Sequence, residues 1–186
     1  MKAMRRSIFS CEKSMELMRN HFKPGITEQE LWSRFQMEAV SRGAEWIETR
    51  LLASGPRANP WYQECSSRPI LSGELMGFDT DLVGSYGYCT DMSRTWLCGD
   101  EKPTDEQKEI YTMGYEQIQN NMKLLKPGVT FKELTLNAKE YSKQEFRHYS
   151  VLFHGVGLCD EFPAIPFSWE LNENSFDGVL QPGMVL

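Results

Sequence analysis

The sequence predicts an α+β fold made of two similar α/β halves facing one another, on three observations. Apolar residues recur at helical spacing in two separate stretches, from Met4 to Phe22 and from Thr104 to Leu125. Strand-like segments punctuated by glycine turns lie between and after them. A joint is also used twice: Lys23-Pro24-Gly25-Ile26-Thr27 with Glu30-Leu31 recurs as Lys126-Pro127-Gly128-Val129-Thr130 with Glu133-Leu134. Good helix-start chemistry explains each copy alone. The ordered match along the whole joint favours an ancient duplication, with a period far too long for a solenoid.

The elements follow in order. Met4, Ile8, Cys11, Met15, Met18 and Phe22 mark an amphipathic helix that Lys23-Pro24-Gly25 ends. Thr27 with Glu30 forms a capping box opening a helix through about Arg42, which Gly43 stops. Residues 46–54 read as a strand, before a polar loop holding Gly55-Pro56-Arg57 and Asn59-Pro60-Trp61. Residues 74–83 and 86–97 read as two strands joined around Gly84-Ser85. A helix from about Thr104 to Leu125 presents Ile110, Gly114, Ile118 and Met122 on one face, and Tyr111, Tyr115 and Trp96 read as core. Another helix follows Thr130, and then come strands near 149–153 and 179–186.

Composition narrows the function classes. The 186 residues are 40% hydrophobic and 25% charged, with net charge −6, enough for a packed domain and against wholesale disorder. The acidic balance argues against nucleic-acid binding, which wants a basic face. No apolar run approaches the ~20 residues of a membrane span, and no secretory leader is visible at the start. The five cysteines (Cys11, Cys65, Cys89, Cys98 and Cys159) are scattered and include no CxxC pair, so reduced thiols in a cytoplasmic protein are expected. At the other end, Gln181-Pro182-Gly183 is followed by Met184-Val185-Leu186, a turn signal opening an apolar run, and the sequence is expected to be cut short there.

The most informative stretch runs from Gly77 to Trp96. Asp79 and Asp81 are two apart on a strand, so their side chains leave the same face. The turn at Gly84-Ser85 brings Asp91 back across from them. Three carboxylates in one small volume raise one another's pKa unless something positive sits among them. Arg94 could supply that charge as a salt bridge, or a divalent metal could, with one carboxylate bridging two ions. The acidic spacing and strand context exclude an EF-hand loop. His154, within Phe153-His154-Gly155-Val156-Gly157-Leu158, is either a hydrogen-bonded core residue or a further ligand.

Taken together, Gly87-Tyr88-x-x-Asp91-x-Ser93-Arg94-Thr95, His154-Gly155-Val156-Gly157-Leu158 and Leu180-x-Pro182-Gly183-Met184-Val185 resemble the M24 metallopeptidases. That resemblance runs from about residue 10 to the end. It implies the pita-bread fold, with pseudo-symmetric halves around a dinuclear metal site. Two departures narrow it. Peptidases of the family carry an Asp at the position of Thr80, whereas here Asp79 and Asp81 flank it. Asp160 also falls where the peptidases have a substrate-binding His. Both features resemble the dimethylsulfoniopropionate lyase branch, as do Glu45-Trp46-Ile47-Glu48-Thr49-Arg50, Ser54-Gly55-Pro56-Arg57 and Asn59-Pro60-Trp61.

By position, the resemblance implies Asp79, Asp81, Asp91 and His154 as ligands of two divalent ions (iron, zinc, manganese or cobalt). It implies Asp160 as catalytic base and Tyr149 as a residue that positions or shields the substrate, with Trp61, Tyr62 or Tyr149 meeting a sulfonium by cation–π attraction. Apolar Leu158 and Phe162 are expected to raise the pKa of Asp160. The expected reaction is β-elimination to dimethyl sulfide and acrylate. An Xaa-Pro metallopeptidase acting on short peptides is the alternative, and a non-catalytic binding module a distant third. The resemblance also implies a homodimer, an upstream N-terminal domain, a ligand Glu about three residues past Leu186 and a second Glu later still. The 186 residues by themselves are therefore expected to be one truncated catalytic domain that binds metal weakly and is inactive.

Overall fold

A computed structural model describes residues 2–61, 63–148 and 151–186. They form two compact units, residues 1–103 with 157–160 and residues 104–156 with 161–186. Among the described residues no helix is long and apolar enough to cross a membrane.

In the first unit, α1 (Lys2–His21) buries Met4, Cys11, Met15 and Met18, the stripe its sequence spacing marks. The capping box then starts α2 (Glu28–Ser41), and the two helices pack together. Six short strands follow: β1 (Trp46–Ile47), β2 (Leu52–Ser54), β3 (Leu75–Phe78), β4 (Asp81–Val83), β5 (Cys89–Asp91) and β6 (Arg94–Leu97). They make two antiparallel sheets, ordered β1-β4-β5 and β2-β3-β6. Each strand expected from the sequence is thus divided between two sheets, with breaks at 48–51, 79–80 and 92–93. An alternating pattern reads straight through such a bend, because the faces keep alternating while the backbone changes partners. The core holds Met18, Leu31, Phe35, Leu52, Met76, Phe78 and Leu82, with the Phe35 and Phe78 rings 5.0 Å apart.

The second unit holds α3 (Asp105–Met122), α4 (Phe131–Asn137) and the antiparallel pair β7 (Phe153–His154) and β8 (Ala164–Ile165). Its core is Phe131, Leu134, Ile165 and Leu180. Two expectations fail here. Tyr111 and Tyr115 are exposed, as are Ile110, Ile118 and Met122, and the only residue α3 buries is Asn121. Helical periodicity marks an apolar face without showing that anything in the same unit covers it. Trp96, in the first unit, does pack partly buried against the core. Residues 179–186 form no strand, only a bridge from Val179 to Thr130. A strand needs a ladder partner, and here the backbone of Leu180 is taken up by Gly128 and Val129.

The repeated joint holds in detail. Thr27 and Thr130 share φ −78° and ψ 155°, and Gly25 and Gly128 share the left-handed turn at φ +90° and +91°. Gly25 N–H donates to the Ile70 carbonyl as Gly128 N–H does to Leu180, both at 2.8 Å. Each threonine closes a full capping box with the glutamate three residues on. Thr27→Ala is expected to destabilise the protein by about 1 kcal/mol, measured as a shift in the urea midpoint at constant m; a change under ~0.3 kcal/mol would show that the cap is redundant.

Candidate metal centre

The antiparallel register of β4 on β5 sets Asp81 directly opposite Asp91. Asp79 lies in the break between β3 and β4, where its N–H still donates to the Leu51 carbonyl at 3.0 Å and prolongs the ladder. Asp160 belongs to the same unit, through residues 157–160, whose Gly157 carbonyl accepts from Cys89 N–H at 2.7 Å. A carboxylate oxygen of Asp160 lies within 4.8 Å of one of Asp91, close enough for both to reach one cation. Four carboxylates therefore converge in the first unit. His154 is carried by β7 of the second unit, half-buried, its Nδ1 3.3 Å from the Gly155 carbonyl. Gly155 is small by necessity, since a Cβ there would come within 2.2 Å of the Phe162 carbonyl oxygen.

Electrostatics shows how crowded this cluster is. Burial pushes Asp79 up to about 6, Asp91 adds to the effect, and a 2.6 Å hydrogen bond from Ser93 Oγ partly offsets it. Burial and the charges of Asp91, Asp79 and Asp160 push Asp81 up to about 7, against a 3.3 Å hydrogen bond from Thr49. The Arg94 side chain is exposed and donates to the Ser93 carbonyl at 2.7 Å. The raised values of Asp79 and Asp81, beside the carboxylates of Asp91 and Asp160, fit oxygen ligands for a hard or borderline divalent ion. Leu158 is 70% exposed, so it supplies none of the apolar cover expected beside Asp160.

Other expected residues fall in different places. Trp61 lies over Gly77 of β3, whereas Tyr62 and Tyr149 lie outside the described residues. The roomier cavities, about 390 Å³ beside α4 and about 300 Å³ beside β1, include none of the four carboxylates, so size alone does not locate the site. Sequence reasoning missed Ser93 and Thr49 as hydrogen-bond donors, although Ser93 stands within the hairpin motif.

It also missed Glu28. This residue is completely buried and accepts from Ser54 N–H (2.9 Å), Ser54 Oγ (2.8 Å), Ser66 N–H (2.9 Å), Ser66 Oγ (2.7 Å) and the Arg57 guanidinium. Burial alone would raise its pKa, but the serine hydrogen bonds outweigh that and hold it below the usual carboxylate range. The network pins both ends of the loop that bears Trp61.

The chain is similar to known proteins along nearly its whole length. The profile of metallopeptidase family M24 matches residues 2–186. The chain is 44% identical over 190 residues to a dimethylsulfoniopropionate lyase, DddP, of Roseovarius nubinhibens, covering 99% of this chain and 43% of that protein. It is 46% identical over 193 residues to DddP of Roseobacter denitrificans, covering 100% and 43%. The prolidase of Pyrococcus furiosus superposes with a TM-score of 0.83 at 27% identity, over 98% of this chain and 53% of that one. The chain thus spans less than half the length of the curated lyases it matches, and its own fold is the pita-bread fold of these peptidases.

Proposed function

From a chain that belongs to metallopeptidase family M24, we propose that the whole protein is a metal-dependent lyase that eliminates dimethyl sulfide from dimethylsulfoniopropionate and leaves acrylate. The observation that carries this reading is Asp160, a carboxylate standing in the cluster of Asp79, Asp81 and Asp91. The likeness to two named lyases supports it. Asp79, Asp81, Asp91 and His154 would hold two divalent ions of the iron, zinc, manganese or cobalt kind. When bound, the ions would anchor the substrate carboxylate and stabilise the negative charge that develops at its α-carbon. Ser93 and Thr49 fix the orientation of Asp79 and Asp81. Asp160 takes the α-proton, the freed electron pair closes the carbon–carbon double bond, and the carbon–sulfur bond breaks with its pair on dimethyl sulfide. The sulfonium needs no acid to leave. Tyr149 would screen the substrate from water.

A cytoplasmic location fits the five free thiols, and a homodimer is the assembly that the family resemblance implies. The test is acrylate release from dimethylsulfoniopropionate by the whole, metal-loaded protein, with Asp160→Ala as control. Release that disappears in the variant is expected; no release by the metal-loaded protein sinks the reading. The prolidase likeness keeps one alternative, hydrolysis of Xaa-Pro peptides. Turnover of an Xaa-Pro dipeptide panel without acrylate release would select it.

A further inference from the structure

The chain leaves β7 at Gly155 and comes back beside it at Pro163. Gly155 N–H donates to the Pro163 carbonyl at 2.9 Å, and the Phe162 carbonyl lies where a side chain at 155 would stand. Residues 156–162 must therefore reverse the chain between them. Their outward leg is pinned, since the Gly157 carbonyl accepts from Cys89 N–H at 2.7 Å. The return depends on one residue. Among the described residues from 156 to 162, Glu161 alone takes a left-handed backbone, at φ +61°. Gly157, which could enter that region freely, does not.

Burial along this loop is inverted. Leu158 is 70% exposed and Phe162 58%, whereas Asp160 between them is half-buried, with one carboxylate oxygen out of reach of solvent. The hydrophobic effect alone would favour the opposite, apolar side chains in and the charge out. Something must hold the carboxylate inward, and the left-handed residue directly after it is placed to do so. Glutamate has no aptitude for that region, which suits glycine and, next, asparagine. Such a conformation persists only where its surroundings enforce it, and it gathers at functional sites.

We propose that Glu161 is the positioning residue for Asp160: its left-handed backbone, rather than its carboxylate, keeps Asp160 turned in toward Asp91. The bearing on catalysis rests on the lyase reading above. Asp160 is held from both sides, by the Gly157–Cys89 hydrogen bond before it and by the turn after it. A β-branched residue at 161 resists the left-handed region. The turn would then open, and Leu158 and Phe162 could move in at the expense of the base.

The experiment compares Glu161→Gly, Glu161→Gln and Glu161→Val in the whole, metal-loaded protein, with dimethylsulfoniopropionate as substrate. Glycine takes the turn freely and glutamine removes only the charge, so both variants should keep kcat within about twofold of native. Glu161→Val is expected to lower kcat by roughly a hundredfold, with KM and bound metal little changed, because a small displacement of the base costs that much. A fall in Glu161→Gly or Glu161→Gln as deep as in Glu161→Val assigns the role to the side chain and overturns the proposal. A native kcat in Glu161→Val overturns it too. Should that variant not fold, Glu161→Thr, β-branched but polar, is read in its place with the same outcomes. A second measurement needs no turnover. Hydrogen exchange at the Cys89 amide, followed by mass spectrometry, reports whether the Gly157 carbonyl stays in place. It should quicken roughly tenfold in Glu161→Val and remain native in Glu161→Gly. Absence of acrylate from the native protein defeats the lyase reading separately. The exchange series then decides, and equal rates in native protein and Glu161→Val overturn the dependence of the loop on residue 161.

Discussion

Replacing Glu28 with alanine is expected to destabilise the protein by about 3 kcal/mol, at the lower end of the range for breaking a buried ion pair. The lower end applies because the Arg57 side chain remains 30% exposed and can recover water when its partner is gone. The cost has two parts. Arg57 loses its carboxylate, and two serine N–H groups and two serine hydroxyls lose their acceptor, those of Ser54 in a fully buried place. Glu28→Gln should recover little, because an amide NH₂ would face groups that are themselves donors. The measurement is a urea or thermal unfolding curve for each variant. A loss below about 1 kcal/mol in both would mean that the network forms without stabilising the fold.

Acidifying the metal-free protein from pH 7.5 to pH 5 is expected to stabilise it by on the order of 2 kcal/mol. Asp79 and Asp81 hold folded-state values of about 6 and about 7, above the ordinary carboxylate value near 4. In that window the folded state binds more protons than the unfolded state, so stability rises as pH falls through 7 and 6 and levels off near 4. Asp81 is only half-buried, and water screening keeps the gain below the full shift. Below pH 4 the trend reverses, because Glu28 and Glu74 have lowered values and lose their hydrogen-bonded partners once protonated. Bound metal should invert the upper part of the profile, since its carboxylate ligands must be deprotonated. Unfolding curves after chelation at pH 5 and pH 7.5 decide the matter, with Asp81→Asn expected to flatten the difference. Greater stability at pH 7.5 in the chelated protein would contradict the crowded-carboxylate account.

The sequence made the acidic hairpin readable because its information is local. A glycine turn and a returning strand place Asp81 opposite Asp91 with no knowledge of the rest of the fold, whereas the break that holds Asp79 outside β4 was not readable. Both capping boxes were readable for the same reason. What escaped depends on distant partners. A glutamate in the first turn of a helix reads as a solvated acid favoured by the helix dipole, and nothing near Glu28 in sequence announces serines at 54 and 66. Gly77 reads as a weak spot in a strand until Trp61, sixteen residues earlier, is found lying on it. The breaks that divide each long strand between two sheets leave the alternation intact, so the pattern hides them. The bare face of α3 shows the converse limit: a face can be read while its cover cannot.

The twice-used joint makes the chain its own control. Glu28 and Phe131 occupy one position in its two copies, each directly after the capping threonine, with N–H groups donating to the equivalent carbonyls of Arg68 and Gly178. Both side chains are buried. One copy fills the place with an aromatic ring that helps build a core, the other with a charge that does nothing but hold a loop. The backbone therefore does not require a charge there. The two halves use the same place differently: Phe131 packs a core, and Glu28 holds the tryptophan loop.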